Sequence, residues 1–212
     1  CMRKSRLTLD GASLTLDQLR QFERERPEVE LADAARARMR ESEATVVATV
    51  ASGRTAYGIN TGFGAFANRV IPAQKTQKLQ LNLVRSHACG VGEPLPATLV
   101  RRMLLLKANN LAAGFSGVRP LVVDTLLALI NADVLPVIPA QGSVGASGDL
   151  APLAHLALAL IGEGEATGPT TAGTDSRRAL AGLEVLRAAA VEPLALQAKE
   201  GLALLNGTQL SL

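Results

Sequence analysis

The sequence predicts a mainly α-helical protein, and three observations carry that prediction. Of its 212 residues 48% are hydrophobic but only 2% aromatic, so Leu, Ala and Val must fill the core. Such a core suits helices stacked on helices better than a β-sandwich, which draws on aromatic side chains. Apolar residues also recur every three or four positions over much of the chain, the period of one helix face. The punctuation agrees: capping residues and prolines stand at helix starts, glycines after helix stops. The length allows a sizeable buried core. We expect one domain over 1–212, with residues 1–7 a disordered, tag-like start.

The elements follow in order. Thr15-Leu-Asp-Gln18 has the capping-box pattern, with Leu19 and Phe22 at helical spacing and Pro27 closing the segment. A longer helix is expected from about Glu30 to Ser52, on Leu31, Ala35, Met39, Val46 and Val50, with Gly53 as its stop. Tyr57-Gly-Ile-Asn-Thr-Gly-Phe-Gly64 has neither helical nor alternating pattern and is a loop. Pro72 opens a helix to about Ala88. Pro96 opens another with Leu99, Val100, Met103, Leu104 and Leu111 on one face and Gly114 near its end. Arg119 to Ala132 is apolar outside its ends and therefore buried. Pro136 and Pro139 make an extended connector to Gln141-Gly-Ser-Val-Gly-Ala-Ser-Gly148, after which Asp149 is placed to cap a helix to about Ile161. Gly162 to Gly173 reads as a surface excursion with a short hairpin. Arg177 to Ala190 and Lys199 to Leu205 carry the last helical patterns. The chain stops at Leu212 in an apolar run without a cap, and no internal repeat is visible.

Composition excludes several function classes. Lys plus Arg number 22 against 19 Asp plus Glu, for a formal charge of +3. The charges are interleaved, as in Glu23-Arg-Glu-Arg26, which is the pattern of a solvated helix face rather than a nucleic-acid patch. Stacking aromatics are missing beside those cations. Cys1 precedes Met2 and reads as an addition ahead of the natural start, leaving Cys89 an unpaired thiol, the usage of a reducing compartment. The residues after Met2 form no apolar signal core, and the greasy stretch Leu150–Ile161 is too short to span a bilayer. We expect a cytoplasmic protein without nucleic-acid or membrane partners. With two histidines and neither HExxH nor CxxC spacing, no metal is expected. Gly145-Ala-Ser-Gly148 has its glycines at the wrong offsets for a nucleophile elbow. Gly142 to Gly148 lacks the Lys-Ser/Thr of a phosphate loop, and Asp149 puts negative charge where the anion would sit.

One run is more specific. Gly142-Ser-Val-Gly-Ala-Ser-Gly-Asp-Leu-Ala-Pro-Leu-Ala-His155 resembles the signature of the aromatic amino-acid ammonia-lyases, above all their histidine-specific branch. Taken alone, Ala-Ser-Gly is a common lead into a helix with no chemistry. The resemblance implies that Ala146, Ser147 and Gly148 cyclise into 4-methylidene-imidazol-5-one, a cofactor made from the chain itself, without metal. The residue types suit that chemistry. The Gly148 nitrogen must fold back onto the Ala146 carbonyl carbon, a turn that a Cβ would obstruct, and Ser147 then loses its hydroxyl as water. The product is an electrophile that no ordinary side chain supplies.

Further segments resemble the same family in the same order, over about Thr8 to Gln209. Tyr57 looks like the general base of the family's active-site loop; otherwise it is an amphipathic residue in a Gly-rich turn. It is the single tyrosine of the chain. Ser86-His87 looks like the substrate-ring contact of the histidine-specific members. His87 follows Leu83 at i+4 and Val84 at i+3 and so points with the apolar stripe, where a lone histidine is otherwise a hydrogen-bonded core residue. His155 has no comparable case and is read as core. Asn206-Gly-Thr-Gln209 resembles the family's asparagine beside the electrophile, followed by a glutamine of the histidine-specific type; as bare sequence, Asn-Gly is a turn. Leu111 to Arg119 resembles a fold-supporting segment without chemistry.

The resemblance implies the N-terminal, electrophile-bearing portion of an all-α ammonia-lyase fold, with short strands and loops near the electrophile and the central helix bundle largely missing. It implies conversion of L-histidine to urocanate and ammonia in a homo-oligomer, a tetramer at full length. The expected 212-residue piece is truncated and inactive alone. A tyrosine or phenylalanine lyase, an aminomutase, or a non-catalytic helical fragment remain alternatives.

Overall fold

Two short stretches of alternating sequence begin the molecule. β1 (Arg6–Leu9) and β2 (Glu28–Leu31) pair in parallel, Leu7 against Val29 and Leu9 against Leu31, with α1 (Leu16–Glu25) crossing between them. The structure, a computed structural model, describes residues 5–63, 67, 69–143, 149–168 and 179–211. The Thr15–Gln18 capping box forms in both directions, and Arg26 ends α1 in the left-handed region at φ 47°. Two expectations are corrected here. Arg6 and Leu7 belong to a paired strand, with Leu7 buried, so the start of the chain is structured at least from there. The predicted helix from Glu30 begins later, as α2 (Asp33–Ala51). Residues 28–31 alternate exposed and buried, the period of a strand, and four residues are too few for sequence alone to separate the two.

The long apolar helices come next. α3 (Ala73–His87) starts after Pro72; β3 (Val91–Pro94) leads to α4 (Ala97–Ala112), and α5 (Pro120–Asn131) starts with proline in its first turn. α4 and α5 pack on one another, burying Met103, Leu104, Leu111, Leu126 and Leu129 completely or nearly so. The connector after α5 holds β4 (Leu135–Pro136) and β5 (Pro139–Gln141), and β5 pairs antiparallel with β3. α6 (Leu150–Leu160) follows and buries Leu153, Leu156 and Leu160. The expected excursion after Gly162 contains β6 (Glu165–Thr167), paired with β4 on one side and with β7 (Ala179–Ala181) on the other. The helix predicted from Arg177 is therefore corrected: 179–181 is a strand, and α7 (Gly182–Ala188) begins after it. α8 (Glu200–Leu205) matches the last helical pattern.

The fold is mainly helical with short strands, as predicted, and β3 and β5 are the strands that deliver the chain to residue 142. α3, α6 and α8 pack mutually, and this trio positions the candidate site. Among the described residues no helix is long and apolar enough to cross a membrane.

Candidate active site

The predicted site residues come from four places in the fold. Ser86 and His87 end α3. Residues 142–143 leave β5 and Asp149 opens α6. Asn206 to Gln209 follow α8, and Tyr57 sits in the turn after α2. Ala146, Ser147 and Gly148 lie outside the described residues, as does Gly64 of the Tyr57 loop.

Close backbone approaches join the first two places. A Cβ at Gly142 would stand 3.1 Å from both the Gly90 Cα and the Ala151 Cβ, so a larger residue would push these three segments apart by a few tenths of an ångström. The Gly90 N–H donates to His155 Nε2 at 3.1 Å, tying the end of α3 to α6. His155, read as core, is partly buried, and that burial lowers its pKa. His87 is half-buried. Its Nδ1 lies 2.9 Å from the Leu83 carbonyl oxygen and 3.1 Å from Ser86 Oγ, which itself donates to that carbonyl. A carbonyl only accepts, so Nδ1 carries the hydrogen in this contact, and among the described residues no hydrogen bond engages Nε2.

Asp149 joins the second and third places. Its carboxylate is fully buried and accepts four hydrogen bonds: from Ser143 Oγ (2.7 Å), the Leu210 and Ser211 amides (2.7 and 2.9 Å) and Ser211 Oγ (2.6 Å). Its own N–H donates to Gly207 O at 2.8 Å. The expectation of a side-chain N-cap is therefore corrected, because the carboxylate makes no bond to the first turn of α6. These external donors outcompete the helix amides. Burial alone would raise the carboxyl's pKa, but the hydrogen bonds from Ser211, Ser143 and Leu210 outweigh it and hold the group below its ordinary value. The Ser143–Asp149 bond also brings together the two ends of the 144–148 segment.

The segment after α8 is also held by a residue the sequence reading passed over. Lys107 of α4 is completely buried, and its Nζ donates to the Asn206 carbonyl at 2.6 Å. Burial lowers its pKa from 10.5 to about 7. A signal for it existed: Val100, Leu104, Lys107 and Leu111 form one i, i+4, i+7 stripe, in which the lysine is the intruder. Glu200, also buried, receives Arg119 in a two-pronged ion pair at 2.8 Å and fixes the start of α8. The Asn206 side chain is exposed, and nothing among the described residues bonds its carboxamide. Gln209 is buried, with Oε1 lacking a hydrogen-bond partner among the described residues.

Tyr57 reaches this assembly through its neighbour. Gly58, at φ +74°, packs so closely on Leu202 of α8 that a Cβ would collide with that side chain. Leu202 lies one helical turn before Asn206, whose N–H bonds its carbonyl. Tyr57 itself is 62% exposed and meets Phe63 edge-on at 6.1 Å. Cys89 is an exposed free thiol. Among the described residues no group of three or more His, Cys, Asp or Glu side chains could hold a metal ion.

Known proteins share both the sequence and the shape. The aromatic amino acid lyase family matches residues 14–212. A histidine ammonia-lyase from Anaeromyxobacter sp. (strain K) is 55% identical over 96% of this chain, which spans 40% of that relative. The crystal structure of histidine ammonia-lyase from Trypanosoma cruzi superposes with a TM-score of 0.86 at 44% identity, over 97% of this chain and 38% of the other. A tyrosine aminomutase from Streptomyces globisporus gives a TM-score of 0.86 at 35% identity, over 97% and 37% of the two chains. The chain thus spans about two-fifths of the length of the curated relatives it matches.

Proposed function

The chain belongs to the aromatic amino acid lyase family, and from that premise we propose that it is the electrophile-bearing part of an enzyme that eliminates ammonia from L-histidine to give urocanate. What supports the reading is that two motif segments sixty residues apart meet at one carboxylate. Asp149, directly after Ala146-Ser147-Gly148, binds the segment that carries Asn206 and Gln209. The Ser143–Asp149 hydrogen bond suits a ring-forming tripeptide, because it fixes both ends of the 144–148 segment before closure. The 4-methylidene-imidazol-5-one made from that tripeptide supplies an electrophilic methylene for the substrate's amine.

The chain's other residues divide the remaining work. Tyr57 takes the proton from the substrate's β-carbon, which requires its exposed phenol to be covered and its phenolate stabilised in the working enzyme. His87 offers Nε2 as acceptor to the imidazole N–H of histidine, and Ser86 holds the ring in that orientation by sharing the Leu83 carbonyl with it. A phenyl side chain has no hydrogen to give to Nε2, so the pair selects histidine over phenylalanine. Asn206 binds the amino-acid end beside the electrophile, and Gln209 contributes a carboxamide to the same pocket. The enzyme acts in the cytoplasm as a homo-oligomer, a tetramer at full length, and the 212-residue chain alone is inactive.

The decisive measurement is intact mass. Ring formation removes two waters from the unmodified mass, and Ser147→Ala abolishes the second loss. An unmodified mass in the correctly assembled protein defeats the proposal. Turnover of tyrosine in preference to histidine would instead favour an aminomutase or tyrosine lyase, a reading kept open by the likeness to the tyrosine aminomutase.

A further inference from the structure

Lys107 is the one fully buried cation among the described residues, and no step above uses it. Its neighbours on α4, Leu104, Leu105, Ala108 and Leu111, are buried too. A methionine would fill the same volume without the loss of hydration that an ammonium suffers there. No charged partner offsets that loss among the described residues; burial is the single cause acting on its pKa. Its one hydrogen bond among the described residues, 2.6 Å long, ends on the main chain of Asn206. The adjoining carbonyl of Gly207 is taken by the Asp149 N–H at 2.8 Å. Two consecutive carbonyls are therefore held by two different elements, one by α4 and one by the residue that follows the tripeptide. Among the described residues the Asn206 carboxamide between them has no hydrogen bond, and its place is set there by the main chain that these two bonds hold.

We propose that Lys107 is a positioning residue for Asn206, its buried Nζ clamping the Asn206 carbonyl and so fixing the main chain that carries the carboxamide. Lys107 touches neither substrate nor electrophile; it acts through the main chain. The catalytic consequence rests on the ammonia-lyase reading, whereas the clamp itself does not.

Lys107→Met removes the donor and keeps the volume, and Lys107→Arg keeps a cationic donor. Hydrogen exchange is followed in the peptide covering 202–211 and, as internal reference, in α5. In the Met variant amides 206–211 exchange about tenfold faster or more, the loss expected for one charge-assisted buried hydrogen bond, while α5 stays at the parent rate. The Arg variant restores much of the protection. In the intact enzyme the Met variant lowers kcat for L-histidine by about the same factor, and the loss of two waters persists, since the atoms of ring closure are untouched. Unchanged exchange at 206–211 overturns the proposal. So does equal acceleration in both peptides, which would make Lys107 an ordinary packing residue. A parent protein that never loses the two waters defeats the ammonia-lyase reading instead, and the exchange result still decides the clamp.

Discussion

The Tyr57 turn and the Asn206 segment carry the two side chains assigned to opposite ends of the reaction, yet they are held in different ways. The hydrogen bonds of the Tyr57 turn are local, although Gly58 also packs on Leu202 of α8. Asn60 Oδ1 accepts from Ala56 N–H at 2.8 Å, Asn60 Nδ2 donates to Arg54 O at 2.9 Å, and Thr61 Oγ1 accepts from Gly58 N–H at 3.3 Å. The Asn206 segment is fastened from far away in sequence, by Lys107 and by Asp149, both buried and both polar. A turn whose hydrogen bonds are local has only apolar packing to give up on shifting, whereas a segment strapped to two helices has buried polar bonds to break. The difference suits a base that must close over a substrate and a carboxamide that must already be in place.

The largest test of the strap is Asp149→Asn. The amide keeps the shape but offers one acceptor oxygen to four donors, leaving buried hydrogens from Ser143, Leu210 or Ser211 unpaired. We expect a loss of about 2–4 kcal/mol in urea unfolding. Because the hydrogen bonds hold the Asp149 carboxyl below its ordinary value, its contribution is present above the unfolded carboxylate pKa and is lost as pH falls through the lowered one. The gap between parent and variant should therefore narrow on acidification below about pH 4. A constant gap would mean that packing, not the carboxylate, holds the segment.

How far sequence could see into this arrangement depends on the range of each interaction. The capping box joins Thr15 to Gln18, three residues away, and was readable; so were the helix starts at Pro72 and Pro96. The β1–β2 pairing joins Arg6 to Glu28 in parallel, and no turn signal announces a parallel partner. The site motifs were readable as motifs. Their fastenings were not, since Asp149 meets Ser211 across 62 positions and Lys107 meets Asn206 across 99. A carboxylate before a helix looks like a cap until tertiary donors claim it.

The second test concerns Lys107 and runs towards alkaline pH. Its pKa is about 7 folded against 10.5 unfolded, so between those values the unfolded chain binds more protons. Stability should rise with pH across that window as the buried ammonium gives up its charge. Relative to Lys107→Met, which has nothing to titrate, the parent should gain on the order of 3 kcal/mol between pH 7 and 10. Parallel stability curves for the two proteins would show that Lys107 is not desolvated.

On the other side of the comparison, Asn60→Ala removes both carboxamide bonds of the Tyr57 turn at a buried position. A cost of about 1–2 kcal/mol is expected from the unpaired Ala56 N–H and Arg54 carbonyl. It should appear locally, as faster exchange or proteolysis over 54–61, with the 206–211 amides unaffected. Loosening of both regions together would erase the distinction between a local and a long-range fastening.

The smallest structural effect belongs to Tyr57→Phe. The hydroxyl has no hydrogen bond among the described residues, and the ring, 62% exposed, keeps its edge contact with Phe63 when the oxygen is removed. Stability should change by less than about 0.5 kcal/mol. Turnover by the intact enzyme should nevertheless fall by a factor of about 10²–10⁴, the usual contribution of a positioned general base. The two readouts separate because the fold does not depend on this hydroxyl while the proposed proton transfer does. A Phe variant that turns over at the parent rate would show that the β-proton leaves by way of another residue.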